Sequence, residues 1–252
     1  DGVDAALVRI TGYGTQTRAE QLGFRFVPFS DEVRAEILRL AGGGPASAAD
    51  FCRMNFLLGE LFCEAGLLQK GEAKKLRLAA LVHDITKTKT TEEQLQLCRE
   101  YGIATDARLQ NSSKLLHAYT GGPYAAQRFG TEWIDGDVQR AVRYHTTGRA
   151  GMDLLEKLLF LADYIEPGRT WPACVTLRAE FWCPGIEQFD KEALSKHLDR
   201  VLIHALDQTL FELLREKQLI DPDTVSARNA LLLPQKQLQE ENDTKTVEKE
   251  NA

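Results

Sequence analysis

The sequence lacks any apolar run that approaches the about 20 residues of a membrane-spanning helix, and no signal-peptide pattern opens it. Its five cysteines are odd in number and form no Cys-x-x-Cys pair, which argues against a disulfide framework or a zinc–thiolate site. Positively charged residues are fewer than negatively charged ones, with 31 Lys and Arg against 37 Asp and Glu. Sequence-independent binding to a nucleic-acid duplex needs an excess of Lys and Arg on the binding surface. We therefore expect a cytoplasmic protein with free thiols that binds neither membranes nor duplexes.

The main positive feature of the sequence is helical periodicity. Between about residues 46 and 219, apolar side chains recur at intervals of three and four, and no segment alternates convincingly in the manner of a strand. The pattern predicts helices near 47–65, 72–86, 91–101, 112–129, 135–147, 152–166 and 190–217. The expected fold class is therefore all-α.

The two ends of the chain differ in composition from this helical body. The cluster Gly42-Gly43-Gly44-Pro45 is typical of a linker, and the last 19 residues lose their apolar content. We therefore divide the chain into a short N-terminal extension and linker (1–45), a helical domain (46–233) and a disordered C-terminal tail (234–252).

The pair His83-Asp84 follows an apolar helical stretch. A neutral imidazole can bind a metal through one nitrogen, and a carboxylate can bridge two metals with its two oxygens. The dipeptide alone is weak evidence, because an Asp that caps a helix end explains it equally well.

Three further ligand types lie beside buried helical faces. His145 is the next position on the apolar stripe of its helix, and His117 follows two leucines. Asp163 adjoins another apolar stripe, where an unpaired carboxylate would be costly unless a metal or an Arg accompanied it. Each of these residues could instead be a satisfied polar group of the core.

The neighbours of these residues suit phosphate. Lys87 lies one turn beyond Asp84, and the segment after His145 supplies Thr146, Thr147, Gly148 and Arg149. Hydroxyls, flexible backbone and cationic groups neutralise and orient phosphoryl oxygens. Further candidates are Glu166, Arg169 and Arg228, although a surface ion pair explains any one of them equally well.

The ordered set His83-Asp84, Lys87, His117, His145 and Asp163, with YHTTGRAGMDLLEKLLFLADYIEPGR from Tyr144 to Arg169, resembles the bacterial HD-domain symmetrical bis(5'-nucleosyl)-tetraphosphatase family of phosphohydrolases. The resemblance extends from about residue 49 to 233. It implies an HD-domain helical bundle with two metal ions, usually iron, with manganese as the alternative. It also implies symmetrical hydrolysis of diadenosine tetraphosphate and related dinucleoside polyphosphates to nucleoside diphosphates.

The resemblance also implies roles for individual residues. The expected metal ligands are His83, Asp84, His117, His145 and Asp163, with Asp84 as the bridge. The expected catalytic residues are Asp84, Lys87 and Arg149. The expected substrate-binding residues are Lys87, Thr146, Thr147, Arg149 and Arg169.

The chain departs from the family pattern at one ligand. The family has a His on its first helix, and an ungapped count places Met54 there, beside Asn55, with no His anywhere before His83. Either water completes the weakened metal position, or that position stays empty. The alternatives to the expected function are therefore an HD phosphohydrolase for another nucleotide and a catalytically weakened nucleotide-binding domain.

Several features have no place in this set. His197 and His204 are interpreted as packing or helix-surface residues, and Trp133, Trp171 and Trp182 as core or pocket-wall residues. The segment FRFVPFSDEVRAEILRL is similar to the last strand and helix of nicotinate-nucleotide adenylyltransferases; residues 1–45 are either a remnant of such a fused nucleotidyltransferase or a packing extension. A homodimer is left open.

Overall fold

The computed structural model describes residue 55, residues 57–166 and residues 168–234. Within these ranges every regular element is helical and no strand is present, which confirms the all-α prediction. The helices are α1 (57–64), α2 (Lys70–Val82), α3 (Thr91–Glu100), α4 (Ala107–Gln110), α5 (Ser113–Phe129), α6 (Gly136–Tyr144), α7 (Leu154–Ile165), α8 (Pro172–Phe181), α9 (Lys191–Arg215) and α10 (222–234), with a 3-10 turn at Ile186–Gln188. The extension 1–45, Met54 and residues 235–252 of the tail lie outside the described residues.

The largest boundary difference from the sequence prediction is at the end of α2. The helix ends at Val82, four residues before the expected end, so Asp84 and Lys87 lie in the turns that follow it. The periodicity also missed α4, α8 and α10. Helix α8 begins with Pro172 in its first turn, a typical helix start whose signal was present in the sequence.

Side-chain caps set the helix starts. Thr90 with Glu93 and Asp153 with Glu156 form capping boxes at α3 and α7, in which each side chain satisfies an amide of the other residue's backbone. Asp135 caps α6 in the simpler manner. These caps fix the registers of the helices, and the registers decide which side chains face the interior.

The core lies where α6 packs against α5, α7 and α2. Its buried side chains include Leu76 of α2, Val142 of α6 and Leu158 of α7. Each comes from an apolar stripe, so burial of these stripes drives the helices together. The same packing brings the ends of α2 and α6 together.

Two adjacent glycines allow a close approach at this junction. A Cβ on Gly122 would lie 3.0 Å from the carbonyl oxygen of Gln139 in α6, and one on Gly121 would lie 3.3 Å from the carbonyl oxygen of His83. The absence of both Cβ atoms lets α5 pass against α6 and against the end of α2.

Among the described residues, none of the helices has both the length and the apolar composition of a membrane-spanning segment. The four described cysteines, Cys63, Cys98, Cys174 and Cys183, are free, as the sequence predicts.

The alkaline stability of the fold should depend on Tyr164, which lies on α7. Burial raises the pKa of this phenol from 10.0 to about 12. Its neutral form is therefore favoured by folding, and the corresponding stability is complete below pH 10 and lost as the pH rises toward 12. We expect Tyr164→Phe to remove this loss, which is at most about 1.4 kcal/mol per pH unit. Urea unfolding of both proteins below and above pH 10 measures it; parallel pH profiles would contradict the assignment.

Candidate metal centre

His83 and His145 occupy equivalent places in the fold. Each is the C-cap residue of its helix, His83 of α2 and His145 of α6. His83 Nδ1 lies 2.9 Å from the carbonyl oxygen of Ala80, and His145 Nδ1 lies 2.6 Å from that of Val142. Because a carbonyl oxygen only accepts hydrogen bonds, Nδ1 must carry the proton in each ring. Nε2 of the neutral ring is then a lone-pair donor, as a metal requires.

Asp84 lies at the centre of three imidazoles. Its Oδ2 is 3.2 Å from His83 Nε2, and its Oδ1 is 3.2 Å from His117 Nε2 and 3.8 Å from His145 Nε2. His117 and His145 approach each other to 3.2 Å between their Nε2 atoms. Residues from the ends of α2 and α6 and from the first turns of α5 thus meet around one carboxylate.

The electrostatics favour an ionised carboxylate among imidazoles. Burial alone would raise the pKa of Asp84, but the charge of His83 and the contacts of His117 and His145 outweigh it and hold that pKa well below its usual range. Burial would lower the pKa of His83, and the neighbouring Asp84 reverses this and raises it. Burial lowers the pKa of His145, which favours the neutral ring that can coordinate a cation.

His117 is placed by a contact between the turn that follows α2 and helix α5. Thr86, in the turn after Asp84, donates from Oγ1 to the carbonyl oxygen of His117 at 3.2 Å. Both Thr86 and His117 are buried. The turn that carries Asp84 is therefore tied directly to the helix that carries the third imidazole.

Asp163 lies on α7 and is bound by an arginine. Arg169 Nη2 donates to Asp163 Oδ1 at 2.5 Å, and Arg169 Nε lies 3.8 Å from Glu166 Oε1. Burial and the nearby charge of Asp163 raise the pKa of Glu166. Asp163 also interacts electrostatically with His83. Of the two partners that the sequence allowed for this carboxylate, the structure contains the Arg.

The predicted phosphate-binding residues differ in exposure and in the groups that they contact. Lys87 Nζ donates to Asp84 Oδ2 at 2.6 Å and is half exposed. It therefore adjoins the imidazole cluster, which consists of Asp84 with His83, His117 and His145. Thr146 Oγ1 is buried and has no hydrogen-bond partner among the described residues. Thr147 donates to the carbonyl oxygen of Gly148 at 2.9 Å, which commits its hydroxyl to the backbone.

Arg149 is bound within the protein. Its Nε and Nη2 each donate to Glu156 at 2.7 Å, and its Nη1 donates to the carbonyl oxygen of Ala150 at 3.0 Å. None of these contacts involves the imidazole cluster. Arg228 likewise pairs with Asp207 at 2.8 Å, so neither guanidinium is brought to Asp84 by a direct contact.

The remaining histidines and tryptophans lie outside the cluster. His197 is buried, stacked on Phe181 and hydrogen-bonded to its carbonyl oxygen at 3.0 Å, while His204 pairs with a surface glutamate. The interpretation as packing and surface residues is confirmed. Trp133 and Trp182 pack against the core. The interpretation of Trp171 as a core or pocket-wall residue is wrong: it precedes the first residue of α8, makes no capping hydrogen bond with its side chain and is 71% exposed.

The donors of the cluster fit a divalent cation. His83, Asp84 and His145 each offer one ligand atom, and these atoms lie within 4.8 Å of one another. Asp84 Oδ1 is buried and has no neighbour in hydrogen-bonding geometry among the described residues, although two imidazole nitrogens face it. Two helices end at the cluster, and the negative ends of their dipoles favour a positive charge there. Two imidazoles and a carboxylate form a known ligand set for divalent transition metals.

Sequence reasoning missed two residues that shape the site. Glu156 is buried and holds Arg149, and Arg178 donates hydrogen bonds to the backbone that carries Arg169. The capping-box spacing from Asp153 gave a signal for Glu156 as a cap. Nothing local in the sequence signals the role of Arg178.

Comparisons with known proteins find similarity to one family over most of the helical domain. The family model described as HD domain matches residues 51–168. The chain is 40% identical over 169 residues to "Bis(5'-nucleosyl)-tetraphosphatase, symmetrical" of Halalkalibacterium halodurans, an alignment that covers 67% of this chain and 82% of that protein. It is also 46% identical over 67 residues to "Anhydro-N-acetylmuramic acid kinase" of Caldanaerobacter subterraneus, which covers only 17% of the kinase.

A solved structure shares the fold. The crystal structure of a predicted HD superfamily hydrolase involved in NAD metabolism, from Clostridium acetobutylicum, superposes with a TM-score of 0.67 at 26% identity. The superposition covers 82% of this chain and 98% of that one.

Proposed function

This chain belongs to the HD-domain family of symmetrical bis(5'-nucleosyl)-tetraphosphatases, and on that premise we propose that it is a metal-dependent phosphohydrolase of dinucleoside polyphosphates. The observation that carries the proposal is the Asp84 carboxylate, which meets the Nε2 atoms of His83 and His117 at 3.2 Å and that of His145 at 3.8 Å. Such a cluster with a lysine at 2.6 Å suits cleavage of a phosphoanhydride better than a packing role.

The proposed metal ligands are His83, Asp84, His117, His145 and Asp163. When bound, a divalent metal supplies Lewis acidity toward water and toward a phosphoryl oxygen. We infer iron as the resident metal and manganese as a substitute, because a set of imidazoles and carboxylates suits both ions. Of the two metal positions that the family resemblance implies, the one that lacks the first-helix His would have one neutral ligand fewer than the second. We propose that a water molecule completes this position.

The proposed substrate-binding residues act on the negative charge of the polyphosphate. Lys87 is half exposed and can exchange its contact with Asp84 for one with a phosphate oxygen. Thr146 offers a hydroxyl without an internal partner among the described residues. Arg169 pairs with Asp163, which is itself a proposed metal ligand. The predicted contact of Arg149 with substrate requires it to leave Glu156 at least in part.

Symmetrical cleavage adds one water to a central phosphorus atom and breaks the bridge between the second and third phosphates. Diadenosine tetraphosphate then gives two molecules of ADP. We expect this product pattern when the metal-free protein is reconstituted with Fe²⁺ under nitrogen, or with Mn²⁺, and the products are separated by anion-exchange chromatography.

The product analysis discriminates among the alternatives. AMP with ATP would exclude the symmetrical mode, and a higher kcat/KM for a mononucleotide would indicate another nucleotide substrate. Intact substrate with every metal tested, in a protein that still binds the dinucleotide, would indicate the weakened nucleotide-binding domain. The matched negative control is the Asp84→Asn variant, prepared and reconstituted in the same way.

A further inference from the structure

We propose that Arg178 is a positioning residue that holds Arg169 against Asp163. Arg178 lies on α8, and its guanidinium is directed at the backbone that leaves α7. Nε donates to the carbonyl oxygen of Ile165 at 2.7 Å, and Nη2 donates to the carbonyl oxygens of Glu166 and, at 2.8 Å, of Arg169. One side chain therefore binds three carbonyl groups on both sides of the turn between Asp163 and Arg169.

Two of these carbonyl groups, those of Ile165 and Glu166, lie at the C-terminal end of α7. Ile165 is the last residue of α7 and Glu166 is its C-cap, and the last carbonyl groups of a helix have no amide of the same helix to accept from. A cation is also favoured there by the helix dipole. Arg178 meets both requirements, and its planar fork fixes the direction of the chain in a way that a single ammonium group does not.

The fixed backbone sets the position of Arg169. The amide of Arg169 donates to the carbonyl oxygen of Glu166 at 3.1 Å, so the turn is closed on itself as well as held by Arg178. From this turn the Arg169 side chain returns to Asp163 Oδ1 at 2.5 Å. The contacts thus form a chain from α8 through Arg178 and Arg169 to the carboxylate on α7.

This chain of contacts affects the orientation of Asp163 as a metal ligand, and the inference to that extent rests on the proposed function. A carboxylate has two oxygens, and Arg169 engages Oδ1 of Asp163, so Oδ2 can bind a cation while the orientation of the group is held. Groups that hydrogen-bond to metal ligands fix their orientation, and their loss costs about 10- to 100-fold in metal affinity. Arg178 acts on Asp163 only through Arg169, since it contacts the backbone and not the carboxylate.

A double-mutant cycle on Arg178→Met and Arg169→Met tests the proposal by Mn²⁺ titration followed by electron paramagnetic resonance, without substrate. We expect each single variant to raise the Mn²⁺ dissociation constant by about tenfold, and the double variant to bind Mn²⁺ no more weakly than Arg169→Met alone. Additive effects in the cycle, or an unchanged dissociation constant in Arg178→Met, would overturn the proposal.

Two further variants separate positioning from a general loss of stability. Arg228→Met removes a comparable half-buried arginine from a pair with Asp207 and should leave Mn²⁺ affinity unchanged. Arg178→Lys keeps a cation at the end of α7 but lacks the planar fork whose Nε and Nη2 donate to separate carbonyl groups. This variant should therefore restore the free energy of unfolding without restoring the affinity for Mn²⁺. Full recovery of Mn²⁺ affinity in Arg178→Lys would contradict the proposal. Because no step uses a nucleotide, failure of the hydrolysis assay leaves this test intact.

Discussion

Asp84→Asn should abolish hydrolysis, with kcat reduced by about 1000-fold or more, because it removes the charge of the carboxylate that faces the imidazoles of His83, His117 and His145. The amide has the shape of the carboxylate but neither its charge nor its second anionic oxygen, so it cannot offset a divalent cation or bridge two of them. It also ends the attraction that raises the pKa of His83. Steady-state hydrolysis of diadenosine tetraphosphate and the metal content of the desalted protein measure both consequences.

The control for Asp84→Asn is Asp207→Asn. Asp207 is a carboxylate of α9 that pairs with Arg228, and its substitution should change neither metal content nor kcat. If Asp84→Asn kept more than about a tenth of the wild-type kcat, which is a barrier change of less than about 1.4 kcal/mol, the catalytic centre would have to lie elsewhere.

Glu156→Ala should destabilise the protein by about 2 kcal/mol, because it removes the hydrogen bonds between this buried carboxylate and the partly exposed Arg149. The Glu156 side chain is 0% exposed, and it accepts two hydrogen bonds from Arg149 at 2.7 Å. It also accepts from the amide of Asp153 at 2.8 Å, so the capping box of α7 is lost together with the pair. The midpoint and slope of urea unfolding measure the change in the free energy of unfolding.

The same pair ties the loop after His145 to the helix that carries Asp163. A double variant, Arg149→Met with Glu156→Ala, should be less destabilised than the sum of the single variants, since it leaves no buried charge alone. Glu212→Ala, which breaks an exposed pair with Arg215, is the matched control and should cost less than about 1 kcal/mol. Equal losses in Glu156→Ala and Glu212→Ala would mean that the buried pair contributes nothing.

The sequence predicted the parts of this protein that depend on local pattern. The three- and four-residue spacing of apolar side chains located α3, α5, α6, α7 and α9, and it placed His145 and Asp163 beside their buried stripes. Family resemblance then grouped these two residues with His83, Asp84 and His117. The structure brings His83, Asp84, His117 and His145 together in one cluster, whereas Asp163 pairs with Arg169. The stripe for α2 was equally clear, but its end was misplaced because periodicity continues through the turns at 83–89.

Other features depended on contacts that periodicity does not encode. The sequence shows that an arginine follows His145 closely, but it does not show which group binds that arginine. The sequence suggested that Arg149 binds phosphate, and in the structure Arg149 pairs with Glu156. Trp171 was assigned to the interior from residue type alone, yet its side chain is exposed at the start of α8.

By itself, the sequence determined the helical class, the registers of the main helices and the identities of the candidate ligands. Each of these follows from side chains within a few residues of one another along the chain. Only the tertiary structure decided which atoms meet: that Asp84 faces three imidazoles, that Arg169 binds Asp163 and that Arg178 holds the turn between them. The contacts of Asp84 with His117 and His145, and those of Arg178 with the turn, join segments that are distant along the chain. Their distances depend on how α2, α5, α6, α7 and α8 pack, including the close approach that Gly121 and Gly122 allow.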